Sequence, residues 1–353
     1  MKSLKNFRFL IIGLGSMGKR RIRNFFYHKI KKENIVGVDP RKDRREEVVK
    51  RYGVRTFENF QKAVREFNPD VYIISTPADK HHIYFLHAAR NKKHLFVEHP
   101  VSDRGYKELM SIMDSSFVVA PSCTLRFHPA VKIIKEILDK KKIGKILSFQ
   151  YHFGQYLPNW HPWENFRDVY FSKKNTGACR EMFGFELVWL DFALGLGKIS
   201  EITGFTEKLS DLQMTADDRY TALLKFENKI SGNITIDLIS KKPFRTLRII
   251  GSDGVLEWEW QENQIRIFDK KNLDNNSKFK WKIINLKKGR SEKNYITTEE
   301  MYEEEIGHFL NAIENKSKYP FTLKESLNYL KALFALEKSA KIKKFISLDY
   351  GEK

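Results

Sequence analysis

Residues 7–39 of the chain read FRFLIIGLGSMGKRRIRNFFYHKIKKENIVGVD, and this stretch decides the fold. The short apolar run Phe9–Ile12 is typical of a strand buried on both faces of a parallel sheet. Lys19–Ile30 then alternates basic with apolar residues, as a helix with one apolar face does. A second apolar run, Ile35–Val38, follows. The order strand, loop, helix, strand predicts a parallel crossover unit of an α/β protein.

Three glycines at the end of the first strand, Gly13, Gly15 and Gly18, have the spacing G-x-G-x-x-G. In a dinucleotide-binding loop such glycines provide a tight turn, room for a pyrophosphate against bare backbone, and close packing of helix on strand. The N-terminus of the following helix offers N–H groups and a partial positive charge to the phosphates. The loop therefore predicts cofactor contacts at the three glycines and at Ser16 and Met17. The alternative is a purely structural turn in another kind of α/β protein.

Asp39 lies 21 residues after Gly18, where a carboxylate accepts hydrogen bonds from an adenosine ribose. Its negative charge favours NAD, because it would repel the 2′-phosphate of NADP. Arg41, Lys42 and Arg44 follow closely, however, and an arginine there can accommodate that phosphate. The sequence predicts NAD as the cofactor, with Asp39 and Arg41 among its contacts, and leaves NADP open.

The bulk composition fits a globular protein of two domains. The chain has 353 residues, is 41% hydrophobic and contains no apolar run long enough to cross a bilayer. The first strand begins almost at once, which leaves no room for a signal peptide. Cys123 and Cys179 are too few for a disulfide framework and lack the spacing of metal ligands. We expect a cytoplasmic protein without a metal site or a membrane partner.

The formal net charge of +20 is the unusual bulk property. It is consistent with attraction of an anionic ligand, with nucleic-acid binding, or with a generally lysine-rich composition. The lysines are spread over the whole chain, and no nucleic-acid-binding motif or compact basic arm is present. We therefore expect no nucleic-acid partner; an anionic small-molecule ligand and a lysine-rich proteome both stay open as explanations of the charge.

Alternation of apolar strands with helices continues to about Ser122. The strand Val71–Ile74 ends at Ser75, Thr76 and Pro77, and a later strand that begins at His94 ends at Glu98. Ligands of open parallel sheets collect beyond the carboxyl ends of the strands. The pattern predicts a doubly wound Rossmann domain over residues 1–122, with Ser75, Thr76 and Pro77 at its cofactor edge.

The pattern changes after residue 122. Strands with a period of two predict an α+β domain over residues 123–353 with an open, mostly antiparallel sheet. They are Ile146–Phe153, Arg219–Phe226, Ile230–Leu238, Arg245–Ile250 and Val255–Trp260. Two late helices have apolar residues at helical spacing, and we expect the last, about 324–341, to pack toward the Rossmann domain. An open sheet face with scattered apolar residues suggests a homodimer or homotetramer.

The sequence resembles the Gfo/Idh/MocA family of nicotinamide-dependent oxidoreductases over essentially its whole length. The motifs that carry the resemblance are the glycine loop, Thr76-Pro77 followed by His81, Glu98-His99-Pro100, Leu125–Pro129, Gly177–Glu181 and Gly251–Gly254. The segment Tyr156–Glu164 resembles a branch linked to surface-polysaccharide biosynthesis and nucleotide-sugar metabolism. The resemblance implies hydride transfer at a carbinol or ketone carbon of a sugar, with His81 and Glu98 among the cofactor contacts.

The chain departs from the family pattern at two catalytic positions. His99 stands where the family has the lysine that handles the substrate's hydroxyl proton, and the family's Asp-x-x-x-His pair falls on Glu181 and Phe185. His99 can serve as proton donor or acceptor, because an unperturbed histidine titrates at about 6.5. Glu181 would orient His99 or share its proton. The alternative is that His99 is only a structural polar residue in a site that has lost its catalytic activity.

Further candidates for the substrate site follow from side-chain chemistry. Arg126 and Arg180 could bind a carboxylate or phosphate, and the segment 156–167 mixes aromatic and polar residues, which suits a sugar ring or a lid. From that segment we single out Trp160, Trp163 and Arg167 as substrate contacts and His161 as a second acid/base candidate. Each has a structural alternative: an ion pair for the arginines, and packing or an interface for the aromatic residues.

These observations predict an NAD(H)-dependent oxidoreductase that acts on a CH–OH group of an anionic or nucleotide-linked sugar derivative. Two alternatives remain within the same fold. One is a hydrolase or lyase that uses NAD only transiently, and the other is an NAD(P)-binding regulatory or scaffold protein that has lost catalysis.

Overall fold

A computed structural model describes residues 4–269, 280–292 and 297–351 of the chain. The chain folds into two compact units. The first unit combines residues 1–124 with 297–327, and the second combines residues 125–296 with 328–353. The sequence-based division at residue 122, with one continuous second domain, stays a prediction, and it differs from these units mainly over residues 297–327.

The first unit contains a six-stranded sheet in which every neighbouring pair is parallel. Its strands are β1 (Phe9–Ile12), β2 (Ile35–Val38), β3 (Arg55–Phe57), β4 (Val71–Ile74), β5 (His94–Val97) and β6 (Val119–Pro121). Their spatial order is β3-β2-β1-β4-β5-β6. The order reverses at β1, next to the glycine loop, as in a doubly wound sheet. The predicted parallel Rossmann sheet is confirmed.

The second unit contains a nine-stranded sheet, counted over the described residues. Its strands are β7 (Ile146–Tyr156), β8 (Ile199–Glu207), β9 (Arg219–Phe226), β10 (Ser231–Asp237), β11 (Ile239–Gly251), β12 (Gly254–Glu259), β13 (Gln264–Asp269), β14 (Lys282–Asn285) and β15 (Ile346–Ser347). Their order is β14-β13-β12-β11-β7-β10-β9-β8-β15. The pair β7–β10 is parallel and the other neighbours are antiparallel, so the predicted mostly antiparallel sheet is confirmed.

Helices accompany both sheets. Within the described ranges they are α1 (Ser16–Tyr27), α2 (Lys42–Tyr52), α3 (Phe60–Phe67), α4 (His81–Arg90), α5 (Tyr106–Ile112), α6 (Pro129–Asp139), α7 (Leu157–Trp160), α8 (Ala178–Leu194), α9 (Glu300–Ile313) and α10 (Leu323–Ile342). In that part of the chain, none combines the length and apolarity of a membrane span.

Successive side chains of the parallel strands enter different cores on the two faces of the first sheet. Leu10 and Ile12 belong to the core that includes residues of α3, α4 and α5, together with Leu323 at the start of α10. Phe9 and Ile11 belong to the core that includes residues of α1, α2 and α9. Because both faces are covered, β1, β2 and β4 are buried at every position, and the carboxyl ends of the strands are left as the accessible edge.

Candidate active site

The glycine loop leaves no space for side chains at two of its three glycines. A Cβ on Gly13 would lie 2.5 Å from the Ser75 carbonyl oxygen, and Gly13 has φ +90°, which disfavours other residues. A Cβ on Gly18 would lie 1.8 Å from the carbonyl oxygen of Gly13. These contacts pack the start of α1 directly against the ends of β1 and β4. The loop is therefore a bare-backbone cradle of the kind that a pyrophosphate approaches.

Helix α1 begins at Ser16 without help from a capping side chain, because Gly15 is its N-cap. Met17 is the second residue of the helix, and its Sδ lies 3.9 Å from an Arg20 nitrogen. The first amides of a helix are unsatisfied by the helix itself and favour an anion. Ser16 and Met17 are thus the first two residues of α1, at the helix end next to the loop, and their contacts with a cofactor stay a prediction.

Asp39 is buried at the end of β2, with 3% of its surface exposed. One carboxylate oxygen accepts the amide of Leu14 at 2.8 Å, and the other accepts the amide of Arg41 at 2.9 Å. The guanidinium of Arg41 pairs with Asp43, which lowers the pKa of Asp43 to about 2. Arg41 therefore contributes its backbone to the Asp39 loop, while its side chain is held by a neighbour on α2.

From the sequence, Arg44 was named together with Arg41 and Lys42, but only Arg41 was chosen as a cofactor contact. Its Nη1 lies 3.7 Å from an Asp39 carboxylate oxygen and 3.3 Å from the position that a Cβ on Gly15 would occupy. Three cationic residues occur between positions 41 and 44, and sequence alone gives no reason to choose among them. In the structure, the turn into α2 directs the side chain of Arg44 toward the glycine loop.

The ends of β4 and α4 present polar groups that have no hydrogen-bond partner among the described residues. These are the buried Ser75 Oγ, Thr76 Oγ1 and His81 Nδ1. His81 Nε2 lies 2.9 Å from the carbonyl oxygen of Thr76, and burial lowers the pKa of His81 to about 4. Pro77 precedes the short helical turn between β4 and α4. Buried polar atoms without partners are uncommon, and they fit contacts to a bound dinucleotide.

Glu98, predicted as a cofactor contact, is held by a buried ion-pair network. Both of its carboxylate oxygens accept from Arg21, at 2.9 and 3.1 Å, and Arg21 is fully buried. Arg21 also donates to Glu305 at 3.0 Å. Glu305 in turn accepts from the Cys123 amide and the Thr124 hydroxyl, both at 2.6 Å. The network connects α1, α9 and the ends of β5 and β6.

His99 is buried directly after Glu98, with 4% of its surface exposed. Burial, and secondarily the neighbouring His81, lowers the pKa of His99 to about 3. The expectation of an unperturbed titration near neutrality is therefore wrong for the protein without ligands. The physical reason is that a charged imidazole would lose its hydration here. His99 is a neutral imidazole at physiological pH.

The predicted polar residues of the second unit have partners within that unit. Glu181 lies in the first turn of α8 and accepts from the Tyr170 hydroxyl at 3.4 Å. Arg180 forms a two-point ion pair with Glu337 and donates to the Asn175 carbonyl at 2.8 Å. Arg126 is buried, with its Nε 3.4 Å from the Val188 carbonyl oxygen and its guanidinium 5.2 Å from the Phe192 ring centroid. The ion pair of Arg180 matches the structural alternative considered for it, whereas Arg126 contacts a carbonyl oxygen and an aromatic ring.

The aromatic residues of segment 156–172 form two stacked pairs. Trp160 stacks on Phe171 with ring centroids 4.9 Å apart, and His161 stacks on Trp163 at 5.0 Å. Trp163 is 41% exposed, and the exposed Arg167 lies over the Phe166 ring at 5.3 Å. The segment thus presents an aromatic surface in the second unit, whereas His99 and the glycine loop belong to the first unit.

Comparison with known families identifies the class of the protein. The GFO_IDH_MocA family, described as an oxidoreductase family with an NAD-binding Rossmann fold, matches residues 7–119. The GFO/IDH/MocA C-terminal domain matches residues 131–257. The chain therefore belongs to the Gfo/Idh/MocA family of oxidoreductases. At the level of the family, the predictions of an NAD-dependent oxidoreductase and of an NAD-binding Rossmann domain are confirmed.

Characterised relatives match only part of the chain. Glucose-6-phosphate 3-dehydrogenase of Bacillus subtilis is 26% identical over 235 residues, which are 64% of this chain and 65% of that protein. Levoglucosan dehydrogenase of Pseudarthrobacter phenanthrenivorans is 31% identical over 121 residues, 32% of this chain and 30% of that protein. The matches thus span less than two thirds of the length of these relatives.

Solved structures share the fold over nearly the whole length. Levoglucosan dehydrogenase in complex with NADH has a TM-score of 0.81 at 16% identity and covers 97% of this chain and 99% of its own. The WlbA dehydrogenase from Bordetella pertussis, in complex with NADH and UDP-GlcNAcA, has a TM-score of 0.76 at 16% identity, with the same coverage. At this identity the likeness concerns the fold.

Proposed function

We propose that this protein is an NAD(H)-dependent oxidoreductase that transfers a hydride to or from a carbinol or ketone carbon of an anionic or nucleotide-linked sugar derivative. The observation that carries the proposal is the position of His99. It is buried at the carboxyl end of β5, directly after the Arg21-bound Glu98, in the same unit as the glycine loop. A proton-transfer group therefore follows the strand edge at which ligands of such sheets bind.

The first unit has the residues that a dinucleotide needs. The bare loop of Gly13, Gly15 and Gly18 would hold the pyrophosphate, Asp39 would hold the adenosine ribose, and the hydroxyls of Ser75 and Thr76 would satisfy polar groups of the ligand. When bound, NAD supplies the acceptor or donor of the hydride. Arg21 holds the Glu98 carboxylate in one orientation through two hydrogen bonds, which fixes the backbone that leads to His99.

His99 would handle the proton of the reacting hydroxyl. A neutral imidazole accepts a hydrogen bond from a carbinol, so the free protein is in the correct protonation state for oxidation of an alcohol. In ketone reduction, the same residue would have to hold a proton against the desolvation that lowers its pKa. In both directions the imidazolium form of His99 is disfavoured by the same desolvation, so bound cofactor and substrate would have to stabilise it during proton transfer.

The proposed substrate class is supported by the aromatic and cationic side chains of segment 156–167 and by the name of one relative. Trp160 and Trp163 offer aromatic faces, and Arg167 offers an exposed cation, in a segment that is suited to a sugar carrying a negative group. One relative, matched over 235 residues, is named for a phosphorylated sugar. In this proposal, Arg126 and Arg180 support α8 and its neighbours through the contacts described above, while Glu181 and His161 remain secondary acid/base candidates.

The proposal is tested by following NADH absorbance during turnover of sugar phosphates, sugar acids and nucleotide sugars. His99→Ala should lower kcat by roughly 10²–10⁴, the range typical of general acid–base catalysis. His99→Lys, which restores the residue type of the family, should recover part of this loss. His308→Ala removes a partly exposed histidine on α9 and serves as the matched control. Equal kcat values for the native and His99→Ala proteins would exclude the role of His99.

A second candidate, a cofactor-binding protein without turnover, is favoured by two observations. Phe185 stands at the position of the family histidine, and His99 has a pKa far from neutrality. This candidate expects tight NADH binding and no hydride transfer across the whole substrate panel. A hydrolase or lyase that uses NAD transiently would instead convert substrate with no net change in NADH.

The cellular setting and assembly also stay predictions. Cys123 and Cys179 are both buried and form no disulfide, which is compatible with the expected cytoplasmic location. A homodimer or homotetramer is proposed from the open face of the nine-stranded sheet. In the part of the chain that the structure describes, no group of three or more His, Cys, Asp or Glu side chains is placed to hold a metal ion.

A further inference from the structure

Gln155, near the end of β7, is a buried polar residue whose side-chain nitrogen has no hydrogen-bond acceptor. Only 5% of its surface is exposed, and its Nε2 has no partner among the described residues. A buried donor without an acceptor costs free energy, so proteins satisfy nearly all such donors with protein, water or ligand atoms. The Nε2 of Gln155 is therefore a candidate for a ligand contact.

Two neighbouring polar side chains on the buried face of the sheet are, by contrast, paired. Tyr151 shares this face of β7 with Gln155, because successive side chains of a strand alternate between faces, and its hydroxyl donates to Glu186 at 2.6 Å. Arg245 of β11 donates to the other carboxylate oxygen of Glu186, at 3.0 and 3.2 Å. The polar groups around the middle of β7 thus satisfy one another, and Gln155 lies beyond them at the strand end.

Two elements with predicted substrate residues lie at the same end of β7. Phe153 precedes Gln155 on the buried face, and its ring centroid lies 6.0 Å from that of Trp160 in the aromatic segment. The residue that pairs with Phe153 on β10 is Ile236, and its carbonyl oxygen lies 3.6 Å from the Sγ of Cys179. Cys179 belongs to the first turn of α8, which also contains the acid/base candidate of that helix. The strand end that carries Gln155 is thus next to both elements.

The residue type of Gln155 indicates the kind of ligand group. A carboxamide is uncharged, and Arg245, whose guanidinium lies 4.5 Å from the Phe153 ring centroid, already balances the charge of Glu186. An anionic group buried here would need a charged partner, whereas a hydroxyl or carbonyl oxygen needs only a hydrogen-bond donor. An anionic group is better suited to Arg167, which is exposed.

We propose that Gln155 determines substrate specificity by donating a hydrogen bond from Nε2 to an uncharged oxygen of the sugar, either a hydroxyl or an acyl carbonyl oxygen. The bound sugar provides the acceptor that this donor lacks in the free protein. A sugar without that oxygen would leave Nε2 buried and unsatisfied, so it would bind less tightly. The inference rests on the sugar substrate of the proposed function, but it does not depend on His99 or on the direction of hydride transfer.

The first test measures stability without a ligand. Gln155→Met replaces the carboxamide by an apolar side chain of similar length. Because Nε2 has no hydrogen bond to lose in the free protein, the midpoint of urea unfolding should stay the same or rise. Tyr151→Phe, which removes a bonded hydroxyl from the same face, should lower the midpoint. Equal falls for the two variants would show a structural role of Gln155 and would overturn the inference.

The second test measures the Kd values of glucose 6-phosphate, glucuronic acid and UDP-N-acetylglucosamine by tryptophan fluorescence, with NADH present. Gln155→Met should raise the Kd of the sugar that the native protein binds best by roughly five- to hundredfold, the effect of removing one buried hydrogen-bond partner. Derivatives of that sugar that lack one hydroxyl or the acetyl group identify the contacted oxygen. For the derivative without it, the native and Gln155→Met proteins should have the same Kd.

Gln150→Met is the matched control, because it makes the same substitution on the same strand at an exposed position. It should leave all the Kd values unchanged. Equal Kd values of the native and Gln155→Met proteins for the best sugar would overturn the inference. An equal rise for every derivative, or a native protein that binds NADH but none of the three sugars, would also overturn it. Failure to bind NADH would instead overturn the proposed function itself, so the two failures are distinguishable.

Discussion

At the scale of single residues, Arg21 is the group whose loss should cost most in the first unit. It is fully buried between Glu98 and Glu305 and donates to both carboxylates. Arg21→Met would leave two carboxylates with less charge compensation, and breaking a buried pair in this way costs about 3–5 kcal/mol. Urea unfolding measures the change. Lys92→Met, which breaks an exposed pair with Asp114, is the control and should cost at most about 1 kcal/mol. Similar losses for the two variants would contradict a stabilising role of the network.

The two buried histidines of the first unit predict a dependence of stability on pH. Burial lowers the pKa of His81 to about 4 and that of His99 to about 3, whereas in the unfolded chain both titrate at about 6.5. As the pH falls through about 6.5, the unfolded chain takes up protons that the folded protein does not. The free energy of unfolding therefore falls, by up to about 1.4 kcal/mol per pH unit for each histidine.

A variant can separate the contribution of His99 to this pH dependence of stability from the contribution of His81. His99→Gln removes one titrating group, so its stability should decline less steeply than that of the native protein between about pH 6.5 and pH 5. Urea midpoints measured across this range provide the comparison. Parallel declines would mean that His99 is already protonated in the folded protein.

At the scale of elements, the glycine loop provides a matched pair of substitutions. A Cβ on Gly18 would meet the backbone of Gly13 at 1.8 Å, so Gly18→Ala must move α1 relative to β1. A Cβ on Gly15 would meet the Arg44 guanidinium, at 3.3 Å, and that side chain can shift.

We expect Gly18→Ala to lower the free energy of unfolding by roughly 1–3 kcal/mol, typical of overpacking, and to abolish NADH binding. Gly15→Ala should weaken NADH binding while unfolding changes little. Loss of stability in both variants would contradict this assignment.

Strands β1, β2 and β4 of the first unit were predictable because each is buried on both faces and consists of a run of apolar residues and glycine, whereas the edge strand β3, with Arg55 exposed, has no such run. Two elements of the second unit could not be found in this way. Helix α8 is apolar around most of its circumference, so it lacks the one-sided period of a surface helix. Strand β8 has a register irregularity between Ile199 and Glu201, which disrupts its alternation of exposed and buried residues.

The site was predictable only where its contacts are local in sequence. The glycine spacing and the distance to Asp39 are fixed by a single crossover, so they can be found by counting residues. The Arg21–Glu305 pair joins residues 284 positions apart, and only the packing of α9 beside α1 brings them together. Likewise, the low pKa of His99 follows from burial, which residue type does not reveal.

At the scale of the whole chain, the first unit is discontinuous. Ile306, Phe309 and Leu310 of α9 are buried in the same core as residues of β1 and α1. Glu305 completes the ion-pair network that holds Glu98. A dinucleotide-binding domain defined only by the alternating pattern up to residue 122 would lack both contributions. The polar network next to His99 therefore depends on a segment that returns to the first unit late in the sequence.

The open face of the nine-stranded sheet predicts self-association. It carries exposed apolar side chains, among them Phe205 at 63% and Leu223 at 52% exposure. By strand register, Leu223 lies opposite Asn233, and Asn233 opposite Gln150, so these side chains share one face. Arg266 on that face is paired, with distances of 3.0 Å to Glu257 and 2.7 Å to Glu259. These ion pairs offset the positive charge of Arg266 on this face.

We expect sedimentation velocity to show a homodimer or homotetramer, and Leu223→Arg to shift the protein toward the monomer. A charge introduced at the centre of an apolar contact would be desolvated without a partner, and that cost opposes association. Val49→Arg is the control, because Val49 has a similar exposure of 50% but lies on α2 of the first unit. A monomeric native protein, or equal dissociation by both variants, would show that association does not use this face. NADH titration of the Leu223→Arg monomer would then tell whether the dinucleotide site of the first unit is complete within one chain.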